Sequence, residues 1–299
     1  MPFSPDASLE PSPLFIDRDL ARRLLPERPE NSNKGTFGKL LLLTGSEKYR
    51  GAAHLTLGAA LRGGVGLVTF MGERDLCREL RLAFPEAIYV DGESADPVAL
   101  SRCHCATLIG SGSDRTDALL STVRGLVLSE GTPLVLDADA LNVIGASKEG
   151  SAVLKAARRP LILTPHPGEF SRLIRVPIEQ IQASRLPYAV EFAREHGLIL
   201  VLKGSGTIVT DGERTYINTS GSSALAKGGS GDVLAGLIGA LVASGMPPIE
   251  GAALGVYLHG VAGDTLAKSY STYGVTPSDL PVAIAHLLAE LEREKRSTP

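Results

Sequence analysis

VLKGSGTIVTDGERTYINTSGSSALAKGGSGDVL, residues 201–234, runs from an apolar strand into a tight turn, a hairpin and a glycine loop that opens a helix. Between Ser220 and Gly231 nearly every side chain is small. Such a run builds no core of its own, but it lets main-chain N–H groups come close to a ligand. Gly228, Gly229, Ser230 and Gly231 lead into an apolar helical pattern. The unpaired amides and the positive end of that helix therefore converge on one place. The expectation is an anion hole, for phosphate above all, with Asp232 at its lip.

Working outward, strands and helices alternate. Short apolar runs at 39–43, 67–71, 87–90, 107–109, 134–136, 161–163 and 198–202 read as strands. Positions 207–210 and 215–218 read as a hairpin across Asp211-Gly212. Helical patterns lie between them: one capped by Asp17 and ended by Pro26, then 50–61, 75–82, 116–129, a short one through Ile144, and a long one over 178–196. Three more close the chain, at 232–244, 249–269 and 277–295. This order predicts an α/β fold with a single open, mostly parallel sheet and helices on both faces. Without a composition break, residues 14–299 read as one domain behind a loose tail at 1–13.

Composition narrows the function. A net charge of −3 and the lack of a basic cluster argue against nucleic acid and anionic membrane as partners. The longest apolar stretch, 233–243, is too short to span a bilayer. Three cysteines without metal spacing give no disulfide framework, which points to a cytoplasmic protein. Cys103-His104-Cys105 reads as plain core-flanking sequence rather than a metal site.

In open α/β sheets ligands sit beyond the carboxyl ends of the strands. Here those ends carry Gly110-Ser111-Gly112, Asp137-Ala138-Asp139, Thr164-Pro165-His166-Pro167-Gly168-Glu169 and Lys203-Gly204-Ser205-Gly206-Thr207. Lys203 and the amides from Gly204 to Thr207 suit a nucleotide's phosphates, unless the lysine merely faces water. His166, stiffened by two prolines, reads as a substrate contact. Glu169 either holds Mg2+ through water or favours the first turn of a following helix. Asp139 reads as an N-cap, with metal or water binding as the alternative for it and for Asp137. The glycine loop is not a Walker A motif, because no Lys-Ser/Thr follows it. Asp232, kept ionised by the helix end, suits a late proton acceptor: phosphoryl transfer has a loose transition state and needs no stronger base.

Taken together, NKGTFGKLLLLTGS, RGAAHLTLGAALRGGVGLV, LIGSGS, VLDADALN, LTPHPGEF, VLKGSGT, AKGGSGDVLAG and AALGVYLHGVAGD resemble the ADP- or ATP-dependent NAD(P)H-hydrate dehydratase family. The resemblance implies a ribokinase-like fold and the repair of hydrated NADH or NADPH (NADHX, NADPHX) at the expense of ADP or ATP with Mg2+. It implies substrate contacts at Ala53, Gly112, His166 and Asp232, and nucleotide contacts at Lys203, Gly204, Ser205, Gly206, Thr207 and Gly231. Asp232 is its expected base, and a homo-oligomer, a tetramer in particular, its expected assembly. The family's usual His is Asn33 here, and its Gly-Asn-Pro-Gly is Gly221-Ser222-Ser223-Ala224. About 30 residues precede the first motif, so a stand-alone dehydratase without an epimerase domain is expected. The residues alone also suit a ribokinase-like vitamin-precursor kinase, or a nucleotide sensor that has no use for Asp232.

Overall fold

The structure, a computed structural model, describes residues 12–297. The expected loose tail thus falls outside the described residues up to position 11. The chain proceeds through β1 (Leu14–Ile16), α1 (Arg18–Leu24), β2 (Lys39–Leu43), α2 (Arg50–Arg62), β3 (Leu67–Gly72), α3 (Arg74–Ala83), β4 (Ile88–Asp91), α4 (Pro97–Ser101) and β5 (Ala106–Ile109). It continues with α5 (Asp117–Leu128), β6 (Leu134–Leu136), α6 (Asp139–Ala146), α7 (Ala152–Lys155), β7 (Leu161–Leu163), α8 (Pro167–Ile174), α9 (Ile178–Ala183) and α10 (Arg185–His196). After β8 (Ile199–Leu202), β9 (Ile208–Thr210) and β10 (Thr215–Asn218) come α11 (Ser230–Ala243), α12 (Pro248–Gly274) and α13 (Leu280–Ser297).

Among the described residues ten strands form one sheet in the order β1-β10-β9-β8-β7-β6-β5-β2-β3-β4. β9 runs antiparallel to both its neighbours, and the other pairs are parallel. Strand order reverses between β2 and β5. There the chain after β2 turns outward one way and the chain after β5 the other, which opens a crevice. Gly45 N–H donates to the Ser111 carbonyl across this gap at 2.7 Å.

Alternating residues along each strand feed two cores, because successive side chains leave opposite faces. Leu108, Val135, Ile162 and Val201 join α2, α11, α12 and α13 on one face. Ile109, Leu136, Leu163 and Leu202 join α5, α6, α8 and α10 on the other. Burial on both faces is why these strands read as unbroken apolar runs.

Several elements depart from the expectations, the short helices α4 and α7 among them. β1 was not foreseen; three residues are too few to show a period, and only pairing with β10 makes them a strand. α8 was foreseen only as one reading of Glu169 and given no bounds, because its N-cap is a histidine, outside the usual Ser/Thr/Asp/Asn set. The long helix over 178–196 is two helices broken at Ser184 (φ −147°, ψ 53°). Pro187 supplies the reason, since it has no N–H to give to the carbonyl four residues back.

Helix α11 lies unusually close to α2. A Cβ on Gly236 would stand 2.3 Å from the Thr56 carbonyl oxygen. Alanine there would gain about 1 kcal/mol of helix propensity, yet overpacking against an unyielding main chain costs roughly 1–3 kcal/mol or more. Gly236→Ala is therefore expected to lower stability in urea titration, and an unchanged or raised midpoint would refute this packing.

Candidate active site

The carboxyl ends of β5, β6, β7 and β8 stand side by side, and one buried side chain ties them together. Asp137, 1% exposed, accepts from Ser111 Oγ after β5 (2.8 Å), Thr164 Oγ1 after β7 (2.7 Å) and Lys203 Nζ after β8 (3.1 Å). The next residue, Ala138, has φ 45° and ψ −108°, a conformation that alanine rarely adopts. It turns the chain so tightly that a side chain on Gly110 (φ 116°) would meet the Asp137 carbonyl at 2.1 Å. Asp139 is not the N-cap expected of it. Ala138 holds that position, and the Asp139 carboxylate instead accepts from Asp114 N–H (3.1 Å) and Arg115 Nε (3.0 Å).

Lys203 is the cationic centre. Its ammonium lies 4.0 Å from Glu169 Oε2 as well as on Asp137, and only 18% of the side chain is exposed. Burial works against its charge, but Asp137, Glu169 and Asp232 outweigh that and raise its pKa. The lysine merely facing water is thereby excluded. Its amine also reaches the start of α11, 3.3 Å from where a Cβ on Gly231 would be.

The start of α11 is built to stay open. Gly229 takes φ 97° at the N-cap and no side chain caps the helix. His259 of α12 fixes this turn, with Nε2 3.0 Å from the Ser230 carbonyl and 3.1 Å from Ser230 Oγ. Burial drives the pKa of His259 down to about 4, so the ring is neutral and donates to that carbonyl. Asp232 in the first turn is raised to about 7, by burial first and by Asp137 second, with Lys203 opposing. The expectation that the helix end keeps it ionised is therefore corrected: desolvation and neighbouring acids win.

His166 caps α8, its Nδ1 accepting from Gly168 N–H at 3.0 Å, while the Glu169 carboxylate accepts from His166 N–H at 2.8 Å. Glu169 thus has the first-turn role that was one of its two readings. Burial, then Lys203 and Arg172, keep His166 less basic than usual. Lys203, Gly204, Ser205, Gly206, Thr207, Gly231 and His166 all line one cavity of about 740 Å³. Gly112 (φ 62°) packs on the start of α2, where a Cβ would sit 2.6 Å from that of Ala52. Ala53 is fully buried against Gly45, so its side chain faces inward and offers a ligand nothing.

Arg185 escaped the sequence reading. From α10 its guanidinium donates to the carbonyls of Leu202 (3.0 Å), Lys203 (3.2 Å) and Ser205. Gathering these carbonyls on one side leaves the amides of the loop 204–207 for the other. The break at Pro187 was the legible signal, because it starts α10 at this residue. No group of three His, Cys, Asp or Glu suited to a metal occurs among the described residues.

An open α/β sheet with an uncapped helix, a buried lysine and a perturbed aspartate at one crevice has the form of a ribokinase-like fold. The chain belongs to the NAD(P)H-hydrate dehydratase family, whose model matches residues 40–286. It is 39% identical over 246 residues to an ADP-dependent (S)-NAD(P)H-hydrate dehydratase of Neisseria meningitidis, covering 81% of each chain. It is 37% identical to a bifunctional NAD(P)H-hydrate repair enzyme of Moorella thermoacetica, covering 91% of this chain but 53% of that one. The chain thus spans about half the length of the bifunctional relatives. Among solved structures, the ADP/ATP-dependent NAD(P)H-hydrate dehydratase of Bacillus subtilis, co-crystallised with ATP and Mg2+, superposes with a TM-score of 0.84 at 31% identity, covering 93% and 99%.

Two outcomes follow from this geometry. Asp137→Ala strips a buried cation of its partner, which costs about 3–5 kcal/mol, so denaturant titration is expected to show a loss of that order; a loss below 1 kcal/mol would contradict the hub. For Asp232 the folded pKa lies above the unfolded value of about 3.9. Its contribution to stability is therefore full below pH 4 and lost as pH rises towards 7. Asp232→Asn is expected to melt higher than the parent at pH 8 and to lose that lead progressively as pH falls to 4; a constant difference would refute the shift.

Proposed function

We propose that this chain is an ADP-dependent (S)-NAD(P)H-hydrate dehydratase, returning NADHX and NADPHX to NADH and NADPH while ADP becomes AMP and phosphate. The observation that carries the reading is Asp232 in the first turn of the uncapped α11, with Lys203 reaching the same turn from the opposite wall. Ser205, Gly206 and Thr207 receive the nucleotide's phosphates through main-chain N–H groups, and Arg185 holds their loop in place. Lys203 and the N–H groups at Gly231 meet the charge on the migrating phosphoryl group.

Asp232 takes the proton from the hydrate's hydroxyl as that oxygen bonds to phosphorus. Phosphate then departs with the C–O bonding electrons, the ring nitrogen's lone pair assists, and loss of a neighbouring ring proton restores the double bond. His166, Gly112 and the start of α2 around Ala53 seat the hydrated ring. Mg2+ would supply positive charge to the phosphates, and Glu169, beside its capping bond to His166 N–H, would hold it through water. Residues 14–299 act as one catalytic domain, in the cytoplasm, and as a homo-oligomer, a tetramer by family likeness; light scattering tests the assembly.

The decisive assay mixes protein, ADP, Mg2+ and hydrated NADH and follows the return of NADH absorbance. Turnover is expected, with kcat/KM falling below pH 7 as Asp232 is protonated. Asp232→Asn is expected to bind ADP and lose at least about 10²-fold in kcat, the size typical of a lost acid–base group. A stable phosphorylated vitamin alcohol in place of NADH would mean a kinase, and nucleotide binding without any turnover would mean a sensor.

A further inference from the structure

Beyond His166 lies a second recess of about 520 Å³, walled by α5, α6 and α8. Arg115, Arg124, Lys148 and Arg172 line it, against the carboxylates of Asp117 and Glu149. Glu149 is engaged by Arg124 at 3.1 Å, which leaves the recess with an excess of positive charge. Arg115 and Arg172 bond through Nε, to Asp139 (3.0 Å) and to Asn142 (3.0 Å). Among the described residues this leaves the two-pronged Nη ends, the part of arginine that grips phosphate, for an incoming anion.

The recess adjoins the active site through the same two arginines. Arg115 stands three positions after Gly112, and Arg172 Nη1 comes within 3.8 Å of a Cβ placed on Gly168, two residues after His166. Both bear electrostatically on the His166 ring, which itself lines the nucleotide cavity. His166 therefore stands between two anion-seeking hollows. The first is lined by the glycine loops and suits the phosphoryl donor. A dinucleotide hydrate reacting beside Asp232 carries its own phosphates away from the reacting ring, and those phosphates need a second cationic place.

Resting on the function proposed above, we propose that the Arg115–Arg124–Lys148–Arg172 recess binds the phosphates at the adenylate end of the dinucleotide substrate, the 2′-phosphate of NADPHX included. The donor nucleotide does not enter it.

The test is steady-state kinetics on Arg124→Ala/Lys148→Ala, both outward-lying side chains, with three acceptors: hydrated NADPH, hydrated NADH and hydrated reduced nicotinamide mononucleotide. Loss of charge-assisted bonds is expected to raise KM for the NADPH hydrate by about fivefold or more, and less for the NADH hydrate. KM for ADP and for the mononucleotide hydrate should move less than about twofold. A second measurement needs no variant: adenosine 2′,5′-bisphosphate should compete with the dinucleotide hydrate in the parent enzyme and not with ADP. Unchanged KM for the dinucleotide hydrates, an equal rise for the mononucleotide, or competition against ADP would overturn the assignment while leaving the dehydratase intact. A parent protein that turns over no hydrate at all would remove both.

Discussion

One buried carboxylate governs the chemistry of this crevice. Asp137 takes hydrogen bonds from the ends of the two flanking strands and from Lys203 one strand further on. Four chain segments that diverge into different loops are thus held in register at the point where they must share a ligand. The cost is visible next door, where Ala138 adopts a conformation that strains any residue with a side chain. A short strand with helices packed on both faces can impose such a turn because its backbone has little freedom left.

The same carboxylate shapes the electrostatics. Lys203 stays charged in a dehydrated place because Asp137 and Glu169 face it, and Asp232 is discouraged from ionising first by its burial and then by Asp137, with Lys203 opposing. The arrangement places a proton acceptor with a pKa near 7 beside a fixed cation. That is the range in which a group both exists as base and holds the proton it takes. His259 and Arg185 contribute by position alone: one anchors the first turn of α11, the other turns the loop carbonyls away from the cavity. These contacts order the crevice in advance of a ligand, as the proposed chemistry requires.

Membership of the NAD(P)H-hydrate dehydratase family agrees with this picture over most of the chain. The departures at Asn33 and at Gly221 to Ala224 lie outside the strand-end hub. Asn33 closes a local turn through Gly35 N–H, and Ser223 begins a single 3-10 turn. Gly221, Ser222 and Ser223 nonetheless line the same cavity as His166, Lys203 and Gly231, so the second departure alters a wall of that cavity.

Local patterns carried a great deal. Apolar runs bounded by glycine and proline located the strands from Lys39 to Asn218 apart from their ends, and the uncapped GGSGD turn marked the anion site, because both signals rest on chain chemistry within a few residues. The sheet edge at Leu14–Ile16 depended on a pairing partner far along the chain and the helix begun by His166 on a cap that side-chain statistics disfavour, whereas the break before Pro187 was written locally and went unread. Side-chain roles were the least legible. Asp137 read as a metal or water ligand and Asp139 as a cap, and Asp232 read as freely ionised. Only the folded arrangement brings Ser111, Thr164 and Lys203 to one carboxylate and surrounds another with acids. Hydrogen bonding and desolvation act over a few ångströms of space, and no spacing along the chain records that distance.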